Sequence, residues 1–233
     1  MDPSRSPRTP RVFFFALANL AAVVVFSSAS AAEVALDVGH FLAQPGVISA
    51  TGIAEFEYNR NLAFKVRAGL EAAGMRVRMI GERGDFADLY ERTRAARGTD
   101  LFVSIHHDSV QEEYLAVADR FAGFSLFVSR INPQVAKSVE CASAIGAEMR
   151  KAGFTRSLYH ADPVLGESRP FADEANGVHY FDNLAVAKSA TMPALLFEAG
   201  VLVNKAEEAV LARPETQAAM AGAITQGVVR CLN

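Results

Sequence analysis

Short apolar runs alternate with longer segments of helical period along most of this sequence, and that alternation restricts the fold more than any other feature. Several of the runs are apolar on both faces, as is typical of a sheet covered by helices on each side. The pattern predicts a single α/β domain of three layers, with a mostly parallel or mixed sheet of about five to six strands. The predicted strands are VALDV at 34–38, RVRMI at 76–80, LFVSIHH at 101–107, FSLFVS at 124–129 and ALLFEA at 194–199.

Helical periodicity fills the segments between the predicted strands. The first helix is predicted over 54–73, where Leu62, Val66 and Leu70 stand four residues apart. The further predicted helices span 86–97, 133–151, 205–211 and 214–231, the last with proline at its first position.

The first 32 residues have the features of a secretory signal peptide. Arginines precede an apolar run at 12–26, and the small residues Ala29-Ser30-Ala31 follow it at the spacing of a cleavage site. An uncleaved anchor is the weaker alternative, because a membrane-spanning helix needs about 20 apolar residues. We therefore predict a signal peptide at 1–32, one domain at 33–233, and secretion to the periplasm.

The charge balance argues against two classes of partner. The chain has a net charge of -3, and loss of Asp2 with Arg5, Arg8 and Arg11 removes +2, which leaves -5. A mildly acidic domain without a basic run is not expected to bind nucleic acid or an anionic membrane surface. After cleavage, no stable membrane span is expected.

Two long connections and two cysteines leave questions for the structure. The connections at 41–52 and 155–177 are long for a compact domain, and both are candidates for loops that face substrate. A secreted chain permits Cys141 and Cys231 to pair, but two separate buried cysteines explain the sequence equally well.

Imidazole and carboxylate side chains stand at the ends of three predicted strands. His40 follows a glycine after the first strand, His106 and His107 end the third, and Glu198 lies near the end of the last. Open α/β sheets bind ligands at the carboxyl ends of their strands, so these side chains are expected at one rim. A glutamate in an apolar strand is costly unless it is paired, metal-bound or protonated.

Glu57 adds a second carboxylate, in the first turn of the helix predicted over 54–73. Histidine and glutamate are ligand types that zinc takes in hydrolytic sites, where three protein ligands leave one position to water. Each residue alone has a simpler explanation, as a turn histidine, a solvated histidine or a solvated helix glutamate. It is their joint placement that indicates a metal site.

Four sequence blocks, VALDVGH, EYNRNLA, DLFVSIHHDS and MPALLFEAGVLVN, occur in this order. They resemble the motif blocks of the zinc-dependent N-acetylmuramoyl-L-alanine amidases of bacterial cell-wall turnover, the amidase-3 type. The resemblance covers about residues 33–230, and the blocks are specific when taken together. It implies a zinc ion held by His40, Glu57 and His106, and a catalytic carboxylate at Glu198.

Two of these assignments rest on positions within the family motifs. The family's ligand glutamate stands five residues before the helix leucine, which selects Glu57 over Glu55. The ligand histidine directly follows Ser-Ile, which selects His106 over His107.

The resemblance also implies a reaction and a substrate. The reaction is hydrolysis of the amide bond between N-acetylmuramic acid and L-alanine, with peptidoglycan or muropeptides as the substrate. His107, Asp108 and His179 are candidate substrate contacts. The alternatives are another zinc peptidase or deacylase that acts on a different amide, and a catalytically silent wall-binding domain.

The sequence departs from the family pattern near the site. Val38 and Phe41 flank Gly39-His40 where the family has proline and glycine, so substrate fit is expected to differ. The segment 108–124 is too short for the inserted helix that blocks the zinc site in some members. We therefore expect an enzyme that is not self-blocked, while the need for a protein activator stays open.

Overall fold

A single mixed sheet of seven strands organises the part of the chain that the computed structural model describes, residues 31–163 and 167–233. Most of the predicted signal peptide lies outside the described residues. In space the strand order is β2-β1-β3-β7-β4-β6-β5. The strands are β1 (Glu33–Val38), β2 (Arg76–Ile80), β3 (Leu101–Asp108), β4 (Ser125–Val128), β5 (Phe171–Asp173), β6 (Val178–Tyr180) and β7 (Ala194–Val201).

Parallel pairing brings together the strands that carry the candidate site residues. β1 pairs in parallel with both β2 and β3, and β3 pairs in parallel with β7. β4 runs antiparallel to β7 and parallel to β6, and β5 closes the sheet antiparallel to β6. The carboxyl ends of β1, β3 and β7 therefore lie at the same edge of the sheet.

Helices cover both faces of this sheet. Along the central strands successive side chains alternate between two apolar layers, as the two-residue period of a strand requires. Leu36 and Val103 face the larger layer, with α1, α3 and α6, whereas Ala35 and Phe102 face the smaller layer, with α2 and α4. The helices are α1 (Glu55–Ala72), α2 (Leu89–Ala95), α3 (Val135–Lys151), α4 (Ala185–Ser189), α5 (Lys205–Leu211) and α6 (Pro214–Leu232).

The three-layer α/β prediction is confirmed, with two differences in detail. The sheet has seven strands among the described residues rather than five to six, because β5 and β6 are only three residues long and show no periodicity in sequence. α2 is shorter than predicted because Asp88 caps it, accepting hydrogen bonds from the backbone N–H groups of Tyr90 and Glu91. Among the described helices, none has the length and apolar character to cross a membrane.

A disulfide joins α3 to α6. Cys141 and Cys231 lie 90 residues apart in sequence, and their Cα atoms are 5.0 Å apart. Both are buried in the larger apolar layer, between helices that pack closely against each other. Of the two explanations that the sequence allowed, the structure has the disulfide.

Removal of this disulfide should destabilise the folded protein. A cross-link that closes a loop of this length restricts the unfolded chain, which typically contributes about 2–4 kcal/mol. We expect urea unfolding of the C141S/C231S variant to give a free energy of unfolding lower by about that amount. Reductant should lower the stability of the parent but not of the variant, and equal unfolding midpoints for the two proteins would contradict this prediction.

Candidate metal centre and active site

His40 follows the end of β1 and has a backbone conformation that is unusual for a residue with a side chain. Its φ angle is +67°, in the left-handed region. The preceding Gly39 donates its N–H to the carbonyl of Ile105 at 3.0 Å, which holds the turn against β3. A Cβ atom at Gly39 would overlap the imidazole ring of His106, so glycine allows the two histidines to approach. Their ring centroids are 4.9 Å apart.

Glu55, at the start of α1, lies between the two histidines. Its Oε2 is 2.9 Å from Nε2 of His40, and its Oε1 is 3.1 Å from Nδ1 of His106. One ligand atom from each of the three residues lies within 4.8 Å of the others. The three side chains therefore form a cluster that could hold a metal ion.

The carboxylate of this cluster belongs to Glu55 and not to Glu57, so the placement predicted from the leucine spacing needs correction. Successive helical residues are about 100° apart around the axis, so residues two apart point to nearly opposite sides. Glu57 points away from the histidines and pairs with Arg60 at 2.7 Å, with 40% of its side chain exposed. Glu55, by contrast, is only 5% exposed.

The electrostatic setting of Glu55 favours its ionised form. Burial alone would raise the pKa of Glu55, but hydrogen bonds and positive charge from His106 and His40 outweigh burial. The pKa therefore falls far below its ordinary value. Asn59, one helical turn later, donates to Oε1 of Glu55 at 3.0 Å and fixes the orientation of the carboxylate.

Glu198 lies beside the cluster on β7. It is in register with His106 on one side and with Ser125 of β4 on the other, and directly paired residues share a face of the sheet. Its Oε2 is buried and has no hydrogen-bond partner among the described residues. Burial raises the pKa of Glu198 well above its ordinary value, and the carboxylates of Asp108 and Glu55 raise it further.

His107 faces the opposite side of β3 from His106. It is buried, and its Nδ1 lies 2.8 Å from Oδ1 of Asn59 while its backbone N–H donates to Glu55. Burial lowers its pKa to about 4, with a further contribution from the neighbouring His106. The structure thus places His107 as a support for Asn59 and Glu55, away from any surface that substrate could reach.

Asp108 is held by the connection at 155–177, which the sequence proposed as a substrate-facing loop. Its carboxylate accepts hydrogen bonds from the hydroxyl of Tyr159 and, at 2.8 Å, from Nε2 of His160. His160 also bonds Glu167 at 2.9 Å, and Glu167 pairs with Arg169. Although burial opposes it, the bonds to the two carboxylates raise the pKa of His160. Acidic and basic side chains therefore alternate along the series of contacts from Asp108 through His160 and Glu167 to Arg169.

His179, the third candidate substrate contact, lies on β6 inside the protein. It is 0% exposed, and its ring packs between Phe127 and Phe171. Burial lowers its pKa to about 4, and the positive charge of His160 contributes. The structure does not bring His179 to the surface of the site.

Several residues around the centre were not predicted from the sequence. Asn59, Tyr159, Glu167 and Arg169 act through side-chain contacts between distant segments, for which one sequence shows no signal. Glu55 was visible as a second carboxylate near the start of α1, and the helical period could have separated it from Glu57.

A cleft of about 380 Å³ opens beside the cluster. His40 and His106 line this cleft together with residues of α2 and α4, the helices of the smaller layer. Its surface is mainly apolar, with contributions from Phe41, Leu89, Leu184, Val186 and Leu196. Such a cleft could hold an extended substrate against the cluster.

Together, the fold and the site define an α/β domain with a His, Glu, His cluster at the carboxyl ends of parallel strands in a mixed sheet and a buried carboxylate beside it. The Amidase_3 family model, described as N-acetylmuramoyl-L-alanine amidase, matches residues 34–230. That match spans most of the chain, and the protein belongs to this family.

Two relatives carry the same description. The N-acetylmuramoyl-L-alanine amidase AmiC of Neisseria meningitidis serogroup B is 28% identical over 220 residues, which cover 85% of this chain and 52% of the relative. AmiA of Salmonella typhimurium, also an N-acetylmuramoyl-L-alanine amidase, is 25% identical over 215 residues, which cover 84% of this chain and 74% of the relative. The chain thus spans about half the length of the Neisseria relative.

Solved structures share the fold. The catalytic domain of the amidase CwlV from Bacillus (Paenibacillus) polymyxa var. colistinus has a TM-score of 0.69 at 25% identity, with 86% of this chain and 98% of that chain covered. Ami1 from Mycobacterium smegmatis has a TM-score of 0.71 at 22% identity, with 86% and 96% covered. The CwlD amidase from Clostridioides difficile, solved in complex with the GerS lipoprotein, has a TM-score of 0.66 at 20% identity, with 86% and 98% covered.

The contrast between the two glutamates of α1 can be tested by metal binding. We expect Glu55→Gln to weaken zinc binding by more than the roughly 10–100-fold that is lost when a residue hydrogen-bonded to a metal ligand is removed. Glu57→Gln is the matched control, because the Glu57 carboxylate lies outside the cluster. It should bind zinc within about 2-fold of the parent, a smaller change than the loss of a hydrogen-bond partner of a metal ligand causes. Competition with a chromophoric chelator measures both, and the reverse ranking would restore Glu57 as the ligand.

The buried His179 should make stability depend on pH. Its pKa is about 4 in the folded protein, against about 6.5 in an unfolded chain, so only the unfolded chain binds this proton between those values. Its contribution is complete above pH 6.5 and is lost as the pH falls toward 4. The loss between pH 7 and pH 5 should be about 2 kcal/mol.

His179→Phe keeps an aromatic ring between Phe127 and Phe171 but cannot take up a proton. The stability difference between pH 7 and pH 5, measured by urea unfolding, should therefore shrink by about 2 kcal/mol relative to the parent. An unchanged difference would show that His179 does not remain neutral in the folded protein.

Proposed function

We propose that this protein is a secreted zinc-dependent N-acetylmuramoyl-L-alanine amidase. Its substrate would be peptidoglycan or muropeptides, and its reaction the hydrolysis of the amide between N-acetylmuramic acid and L-alanine. The observation that carries the proposal is the cluster of His40, Glu55 and His106 with the carboxylate of Glu198 beside it. Family membership and the two named relatives support the substrate class.

The residues of the cluster fit a zinc ion. Two imidazole nitrogens and one carboxylate form a ligand set found in zinc hydrolases, where the fourth position is left for water or substrate. Glu55 is held ionised, as a ligand must be, and Gly39 provides the space that lets the histidines converge. A zinc ion at this position would polarise the scissile carbonyl and make a bound water more acidic.

Glu198 is the proposed general base and acid. It lies across from His106 on the same face of the sheet, and its buried Oε2 has no competing partner among the described residues. The raised pKa of Glu198 favours acceptance of a proton from the attacking water. The same carboxyl group can then give that proton to the amine of L-alanine, which leaves poorly without it.

The cleft beside the cluster supplies the proposed substrate path. Its apolar wall, which includes Leu89 and Leu184, suits the aliphatic parts of a stem peptide better than a highly charged ligand. The residues of this cleft, Gln44 among them, would orient the amide carbonyl toward His40 and His106. His107 and His179, which are buried, are not proposed as substrate contacts.

Location and partners are part of the same proposal. The signal peptide proposed at 1–32 would direct the chain to the periplasm, where peptidoglycan is found. Between β3 and β4 the described chain forms only 3₁₀ turns at Glu112–Arg120, in keeping with an enzyme that needs no displacement of a blocking helix. The CwlD amidase, which shares this fold, was solved in complex with a lipoprotein, so assays should also be made with a candidate protein partner present.

The assignment of Glu198 can be separated from that of the metal ligands. We expect Glu198→Gln to keep its zinc but to lose at least about 100-fold in turnover, since loss of a general acid or base typically costs 10²–10⁴-fold. Glu57→Gln, tested in parallel, should retain the parental rate. Loss of zinc from Glu198→Gln, or a parental rate, would remove Glu198 from the catalytic role.

The reaction is tested by hydrolysis of purified peptidoglycan with the mature protein as isolated, after chelation, and after zinc is restored. Mass spectrometry should show zinc-dependent release of intact stem peptides with a free L-alanine amine. Bound zinc without these products would leave the metal site standing and point to another amide or to a missing activator. Products that persist after complete removal of metal would overturn zinc dependence.

A further inference from the structure

We propose that Arg92 is a positioning residue for the metal cluster. Its guanidinium holds the backbone of His40 in the left-handed conformation that directs the imidazole toward Glu55. The inference rests on the proposed metal site, but it does not depend on which amide the enzyme cleaves.

The backbone of His40 needs a stabilising contact. Among the described residues, the only residues other than glycine with positive φ are His40 and Ser168. A left-handed conformation is unfavourable for a residue with a side chain, because the Cβ atom comes too close to the following carbonyl oxygen. This conformation persists only where surrounding contacts hold it, and such contacts cluster at functional sites.

Arg92, on α2, provides those contacts. Its Nη1 donates to Oδ1 of Asp37 and to the carbonyl of Val38, each at 2.6 Å. Its Nη2 donates to the carbonyl of His40 and, at 2.6 Å, to the carbonyl of Phe86. The side chain is 1% exposed, so water does not compete for these bonds.

The two carbonyls that matter lie on either side of Gly39. Bonds to the carbonyls of Val38 and His40 orient the peptide groups that enter and leave the turn. A planar guanidinium can donate to both carbonyls at once in a fixed geometry, whereas a lysine ammonium is a single point of charge on a flexible chain. Arg92 therefore fixes the direction in which the His40 side chain leaves the backbone.

A counter-charge keeps the guanidinium in place. The carboxylate of Asp37 pairs with Arg92 through Oδ1, and its Oδ2 accepts a hydrogen bond from Ser104 at 2.6 Å. Ser104 lies on β3 two residues before His106. One buried network thus connects α2, the turn that carries His40 and the strand that carries His106.

The test compares zinc affinity with stability in the full mature protein. Arg92→Lys keeps the charge opposite Asp37 but loses the planar fork, and it should weaken zinc binding about 10–100-fold. Chelator competition gives the affinity, while circular dichroism gives the thermal midpoint of the same metal-free samples.

Asn132→Ala is the matched control for lost buried hydrogen bonds. Asn132 is buried, and it lies far along the sequence from the cluster residues. Its side chain donates to the carbonyls of Ala187, Ala190 and Met192 at 2.8–3.2 Å. Loss of the Asn132 side chain should lower the thermal midpoint but leave zinc affinity within about 2-fold of the parent. That change is smaller than the loss of a hydrogen-bond partner of a metal ligand causes.

A second pair of variants moves the guanidinium without replacing it. A Cβ atom at Gly81 would meet Nη1 of Arg92 at 2.8 Å and the carbonyl oxygen of Val38 at 3.1 Å. Gly81→Ala should therefore disturb the bond between the guanidinium and Val38 and weaken zinc binding. Gly74→Ala is its control. Gly74 has a similar φ of +83° against +72° for Gly81, but in the described part of the chain no atom beyond its neighbours lies within 4 Å of a Cβ placed there.

The outcomes separate the possibilities. Weakened zinc binding in Arg92→Lys and Gly81→Ala, but not in Asn132→Ala or Gly74→Ala, supports the positioning role. Parental zinc affinity in both variants, even with lower thermal midpoints, overturns it and leaves Arg92 a purely structural residue. If Arg92→Lys does not fold, the glycine pair decides. A parent that binds zinc but releases no stem peptides leaves the positioning test intact and points to another amide or to a missing activator, whereas a parent that binds no zinc refutes both proposals.

Discussion

The parallel pairing of β3 with β1 and β7 is the constraint on which the site depends. That register puts Val38 beside Ile105 and His106 beside Glu198, and so fixes which side chains share a face. A slip of one residue along β3 would exchange the two faces and turn His107 toward the cleft in place of His106. Val103 and Ile105 of β3 face the larger apolar layer and alternate with Ser104 and His106. They oppose such a slip, because it would move Ser104 and His106 into that layer.

Buried charge is arranged in pairs around this site. Asp37 faces Arg92, Glu55 lies between two histidines, and Asp108 bonds His160. Removing one member of such a pair leaves an uncompensated buried charge, which is strongly destabilising. Glu198 is the exception, because its Oε2 has no partner among the described residues. A buried carboxyl oxygen without a partner is a local cost to stability at the position where the proposed chemistry needs a free acceptor.

Much of this arrangement could be predicted from the sequence, and the failures have physical reasons. Strand ends at His40, His106 and Glu198 follow from two-residue alternation and from the rule that ligands bind at the carboxyl edge of parallel strands. Glu57 was preferred over Glu55 on a spacing to leucine, but only the rotation of α1 about its axis decides which carboxylate points inward. The strands β5 and β6, three residues each, are stabilised by neighbours in the sheet rather than by any local pattern.

The disulfide has a consequence for how the chain matures. Cys141 is synthesised 90 residues before Cys231, so its thiol stays unpaired while β5, β6 and β7 are being made. The 233-residue sequence contains only these two cysteines, so oxidation within one chain has a single product. Maturation of this sequence therefore needs an oxidant but no disulfide isomerase, and its main covalent error would be a bond between two chains.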